Sequence, residues 1–197
     1  AFNLGAQTIS GNLTVQAGGS IEDGGVMDVE GTTTLTATGR VNMNNNGSDY
    51  TGPVNVTAES GKISLKDDND IELGTISSAG TFSLTASRTT TGTVTQSGTI
   101  TVANRTAITN SGGDVTLNNE NNDFGDGSST NDVRVTAANV SIKNSETLEL
   151  ADSTVSGTYT ATAVTGNITD SGTLAITGLA TFTTSASDAT ITLDETG

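Results

Sequence analysis

The chain has 197 residues, among them 39 Thr, 24 Gly and one Pro, and its seven basic and 22 acidic residues leave a net charge of −15. That balance argues against nucleic acid and anionic membrane surfaces as partners, because both need clustered Lys and Arg. With neither Cys nor His, the chain has no disulfide framework, no Cys/His zinc site, no Cys nucleophile and no His general base.

Thr is β-branched and fits a pleated strand. No sustained 3.6-residue apolar period runs through the sequence, so the chain is expected to be all-β. Only 3% of residues are aromatic and none is Trp. The core must then be filled by Val, Ile, Leu, Thr and Ala, which suits a stacked structure. No stretch approaches the roughly 18 consecutive apolar residues of a membrane-spanning helix. The sequence begins and ends in mid-pattern, as a piece of a longer array would.

In chain order, two periods are nested. The short one follows a loose pattern, Φ-T-A-x-x-G-x-Φ-x-Φ with Φ apolar, anchored at Val15, Leu35, Val56, Leu84, Ile108, Val135, Ala161 and Phe182. The gaps are 20, 21, 28, 24, 27, 26 and 21 residues, or about 24 per unit. The long period is three units, about 75 residues. Gly25, Gly98 and Gly172 lie 73 and 74 residues apart, and Asp49-Tyr50 and Asp123-Phe124 lie 74 apart. The super-repeats run approximately over 2–70, 71–147 and 148–197, the last incomplete, within a single unit covering 1–197.

Inside a unit, apolar residues flank single polar ones. Val54-Asn55-Val56, Ile63-Ser64-Leu65 and Ile71-Glu72-Leu73 follow one another, and Val133-Arg134-Val135, Val140-Ser141-Ile142 and Leu148-Glu149-Leu150 repeat them. Alternate side chains of a strand point to opposite faces. The outer pair of each triplet should point inward and its middle residue outward. Gly, Asn, Asp and Ser between triplets read as turns. The pattern predicts a parallel β-helix of about eight coils of about 24 residues, three coils per super-repeat. Stacked about 4.8 Å apart, these make a rod on the order of 40 Å long. Tandem antiparallel β-sandwiches of about 75 residues are the competing fold. The longest gaps predict loops leaving the column near 66–70, 120–131 and 152–157. In this frame Val135→Asp should unfold the chain, and Arg134→Asp should be nearly neutral.

Three polar clusters, at residues 42–49, 66–70 and 118–126, carry the oxygen ligands that Ca²⁺ takes. Their spacing fits neither an EF-hand nor a calcium-stacked β-roll, and the alternative is that Asn and Asp bond each other and the backbone at stacked turns. The carboxylate pairs Asp67/Asp68, Asp123/Asp126 and Asp194/Glu195 are the candidates for glycosidase chemistry, but no aromatic platform accompanies them. Arg40, Lys62, Lys66, Arg88, Arg105, Arg134 and Lys143 are scattered singly, so no anion site is visible. Sequons occur at Asn12, Asn46, Asn55, Asn104, Asn139 and Asn167.

The stretches SGNLTV, GGSIEDGG, GTTTLTATG and NNNGSDY, followed by TVTQSGTITV, NNENNDF and GNITDSGTLAITG, resemble the repeats of large filamentous-haemagglutinin-like exoproteins of Gram-negative bacteria. The likeness runs along essentially the whole chain. It implies a right-handed parallel β-helix, export through the outer membrane, and a structural role as adhesin stalk or filament. Partners would be neighbouring repeats, end-to-end copies, or host-cell, matrix or polysaccharide ligands. No catalytic, cofactor or metal site is assigned. A calcium-stiffened adhesive module and a β-helix polysaccharide-degrading enzyme are the alternatives.

Overall fold

The computed structural model describes residues 1–86, 92–125 and 131–195. Each apolar-polar-apolar triplet forms a short strand with its outer side chains buried. Val54, Val56, Ile63, Leu65, Ile71 and Leu73 are at most 1% exposed, while Asn55, Ser64 and Glu72 between them face outward. Every strand pair among the described residues is parallel, running from one turn to the next. The result is a β-solenoid of about nine turns, about 21 residues apart. Antiparallel sandwiches are excluded.

Each turn has three faces. The first face begins with Phe2–Leu4, Ile21–Asp23 and Val41–Met43, and continues through Thr106–Asn110 and Val133–Ala137 to Leu174–Ile176. The second begins with Gln7–Ile9, Met27–Val29 and Asp49–Tyr50, and ends with Tyr159–Ala163 and Ala180–Thr184. The third begins with Leu13–Ala17, Thr33–Ala37 and Val54–Ala58, and ends with Ile168–Asp170 and Ile191–Thr192. Ile71–Ser78 rounds a corner as one strand. Its residues 71–73 pair on the second face and 76–78 on the third. One continuous core of aliphatic side chains fills the column, with Tyr50, Phe82, Phe124 and Tyr159 as its largest members.

The turn is shorter than the anchor spacing suggested, and the register explains why. Val15, Leu35 and Val56 lie on the third face, Leu84, Ile108 and Val135 on the first, and Ala161 and Phe182 on the second. The gaps of 28 and 26 residues therefore contain one turn plus an extra face, and averaging over them inflates the period. The super-repeat is likewise three turns plus one face, not three turns. Leu35 sits on the third face of the second turn, Ile108 on the first face of the sixth, and Phe182 on the second face of the ninth.

Two of the expected loops are absent. Residues 152–157 contain the strand Ser153–Val155, which pairs with Val133–Ala137 and Leu174–Ile176. Residues 66–70 form a tight corner. Of the third, 126–130 lies outside the described residues, as does Arg88, while Asp123 bridges to Thr101. Glu149 departs from the triplet rule: it is only 7% exposed, beside Thr169 in the next turn.

Many glycines serve close approach between turns more than turn conformation. Gly61 has no positive φ, yet a Cβ there would fall 2.6 Å from the Arg40 backbone nitrogen of the turn below.

Candidate functional site

Many of the polar residues at the corners fasten one turn to the next. Among the described residues, an Asn or Asp side chain accepts the backbone N–H of a Thr one turn further on at six places. Asn12 holds Thr32, Asn55 holds Thr75, Asp70 holds Thr93, Asn139 holds Thr158, Asp152 holds Thr173 and Asn167 holds Thr190, over 2.6–3.1 Å. Four of these Thr residues follow a Gly whose added Cβ would lie 2.3–2.5 Å from the fastening oxygen, at Gly31, Gly74, Gly157 and Gly172. The pattern Asx, then Gly-Thr one turn later, thus has a steric and a hydrogen-bonding cause. Four of the six sequon asparagines, Asn12, Asn55, Asn139 and Asn167, are fasteners of this kind. Asn139 also donates to Asp114.

A second fastening recurs at the corner of the Asp-aromatic pair. Met27 N–H donates to Ser48 Oγ at 3.1 Å, and Tyr50 N–H donates to Asp67 Oδ2 at 2.8 Å. One super-repeat later, Ile100 N–H donates to Asn122 Oδ1 at 3.0 Å, and Phe124 N–H donates to Asn144 Oδ1 at 2.9 Å. Asp67 and Asn144 occupy equivalent positions and both are buried. Burial pushes the Asp67 carboxyl up to about 6, helped by the charges of Asp49 and Asp68, while hydrogen bonds from the Asn69 and Tyr50 N–H groups pull the other way.

Basic residues that are scattered in the sequence meet in the structure. Arg105 and Arg134 both bind Asp132, which is 1% exposed; Arg105 grips it through Nε and Nη2, at 2.5 and 3.0 Å. Burial alone would raise the Asp132 carboxyl, but hydrogen bonds from the two guanidiniums and their charges hold it below the usual carboxylate range. Arg134 also reaches Asp152 at 3.4 Å. With Asp132 sealed on both sides, the cluster fastens three turns.

Two concavities lie on the surface around the Asp-aromatic corners. One, of about 400 Å³, is lined by Gln7, Thr8, Asp28 and Asp49 with their neighbours. The other, of about 280 Å³, is lined by Thr101, Asp123, Asn131 and Glu146 with theirs. Asp28 and Asp49 are cross-strand neighbours, as are Thr101 and Asp123, and the two pairs are equivalent under the super-repeat. No aromatic side chain lines either groove among the described residues. Among the carboxylate pairs, Asp67 faces inward and Asp68 is half-buried, Asp126 lies outside the described residues, and Asp194 and Glu195 are exposed. Among the described residues no three or more Asp and Glu are grouped to hold a metal ion.

A family profile matches the chain three times, over residues 1–57, 60–131 and 137–197; the family is described as repeats of unknown function (DUF5649). Comparison with curated proteins and with solved structures gave no match.

Proposed function

The chain belongs to the DUF5649 family of repeats, and from that premise we propose that it is a non-enzymatic structural segment, a stalk or filament shaft in an exported adhesin-like protein. The observation that carries this reading is the advance of one face per super-repeat. Equivalent side chains point in three directions around the rod, so no repeated surface accumulates on one side, as a binding or catalytic face would. The fastening of corner Asn, Asp and Arg side chains between turns supports the same reading: these groups stiffen the column. The resemblance to filamentous-haemagglutinin-like exoproteins supports placement outside the cell. It also makes neighbouring repeats of the same protein, or end-to-end copies, the natural partners.

Electron microscopy of the protein from its native source, with an antibody fragment bound to this segment, tests the proposal. Label along a shaft projecting from the cell is expected. Label inside the cell, or on a compact particle, would sink it. The outward carboxylates of Asp28 and Asp49, neighbours on adjacent turns, favour one second reading, stiffening by Ca²⁺. Equal thermal midpoints with and without Ca²⁺ would exclude it.

A further inference from the structure

We propose that Asn46 is a self-modifying site, at which the chain converts its own asparagine to aspartate and isoaspartate through attack by the following backbone nitrogen. Asn46-Gly47 is the one Asn-Gly step in the sequence. Both residues are exposed, at the tip of the turn between Val41–Met43 and Asp49–Tyr50. Gly47 has φ +84°, and an added Cβ there would meet only a Val26 methyl, at 3.9 Å. Nothing among the described residues accepts the Gly47 N–H, so the nucleophile is not tied into the hydrogen-bond ladder. The electrophile is polarised: Lys66 Nζ, one turn on, donates to Asn46 Oδ1 at 3.0 Å.

The chemistry balances within the chain and water. The Gly47 nitrogen bonds to Asn46 Cγ, and negative charge develops on Oδ1, where the Lys66 ammonium already sits. The Cγ–Nδ2 bond then breaks, and ammonia leaves with the proton lost from the Gly47 nitrogen. Water opens the resulting five-membered imide at either carbonyl, giving aspartate or isoaspartate. Lys66 acts here as a positioning charge, its Nζ held at the oxygen on which negative charge develops. The product matters to the fold because Ser48 follows immediately. Its hydroxyl accepts from Met27 N–H at 3.1 Å and its carbonyl from Asp68 N–H at 2.8 Å. Isoaspartate adds a methylene to the backbone two residues before that double fastening and should loosen it.

The test is peptide mass mapping of the full chain held at neutral pH and body temperature over weeks, with separation of aspartate and isoaspartate products. Conversion should be confined to Asn46, slow on acidification, slow sharply in Gly47→Ala and fall several-fold in Lys66→Gln. Thermal midpoint should fall in step with isoaspartate content. Should Gly47→Ala fail to fold, Asn46→Gln, on the exposed tip, serves as the non-converting control. Conversion at Asn46 no faster than at Asn44 or Asn45 would overturn the site. A Lys66→Gln rate equal to that of the unaltered chain would overturn the role of Lys66.

Discussion

At the scale of single residues, the super-repeat supplies its own controls. Asp67 and Asn144 do the same work at equivalent corners, each accepting the N–H of an aromatic residue one turn back. Asn144 is neutral at every pH. Asp67, when ionised, keeps a buried charge near Asp49 and Asp68, and its carboxyl titrates near about 6 against an ordinary value of 3.8. A folded-state value above the unfolded one means that the folded chain binds the proton more tightly. The stabilisation from protonation is fully present below the unfolded value and is lost as pH rises through about 6, at a cost of roughly 2–3 kcal/mol. Asp67→Asn should therefore raise the thermal midpoint at pH 7 and flatten its dependence between about pH 4 and 6. Unchanged pH dependence in the variant would show that another group is responsible. The Asp132 carboxyl, held low, contributes oppositely: its stabilisation is present above the ordinary carboxylate range and is lost only under stronger acid, so the two windows separate.

Glycines allow a second comparison at this scale. Gly5 and Gly74 follow equivalent triplets, Phe2-Asn3-Leu4 and Ile71-Glu72-Leu73. An added Cβ at Gly5 meets nothing within 4 Å, whereas at Gly74 it meets Asn55 Oδ1 at 2.3 Å. Gly74→Ala should cost about 1–3 kcal/mol through overpacking and a displaced fastener. Gly5→Ala should stay within about 0.5 kcal/mol. Chemical denaturation of both variants reads the difference, and equal costs would mean that the Gly-Thr pattern reflects turn propensity alone.

At the scale of elements, the strands were legible because period-two alternation survives in segments as short as three residues. Val133, Val135, Val140 and Ile142 point inward as the triplets require. The number of faces was harder to read. An anchor that moves from the third face to the first, as between Val56 and Leu84, leaves the same local pattern and only a longer gap. The corner fasteners were hidden for a related reason, since Asn12 and Thr32 are partners only once the turn length is known. Outward does not mean idle, either. Val135→Asp should still abolish folding, because it places a charge at a position 1% exposed in the core. Arg134→Asp should not be neutral: it removes one of the two guanidiniums on sealed Asp132 and sets a like charge beside it. A loss of about 1.5–3 kcal/mol is expected. Arg40, whose bond to Glu22 is exposed, should cost about 1 kcal/mol or less on replacement by Ala. Denaturation midpoints of the three variants should fall in that order, and equal effects of Arg134→Asp and Arg40→Ala would refute the sealed role of Asp132.

At the scale of the whole molecule, stability is a sum of neighbour-on-neighbour contacts, so what matters on shortening the rod is whether the new junction resembles an old one. Removing residues 71–147 joins Asp70 to Leu148, which enters the second face of the fourth turn where Ile71 had been. The Tyr50–Asp67 fastening is kept, Ser153–Val155 takes the place of residues 76–78, and Tyr159 takes that of Phe82. The rod shortens by about 16 Å at roughly 4.8 Å per turn. Removing residues 63–132 takes out three whole turns and keeps every remaining strand on its own face, but it breaks the super-repeat. Val133 then follows Lys62 and Ala137 falls where Asp67 stood, so Tyr50 N–H loses its acceptor. If the unit of construction is three turns plus one face, the first deletion should keep the circular-dichroism spectrum and lose little in thermal midpoint, and the second should unfold at distinctly lower temperature. The two proteins are nearly equal in length, so loss of stacking alone cannot separate them. A second deletion as stable as the first would mean that face-to-face alignment governs assembly and that the corner fasteners contribute little.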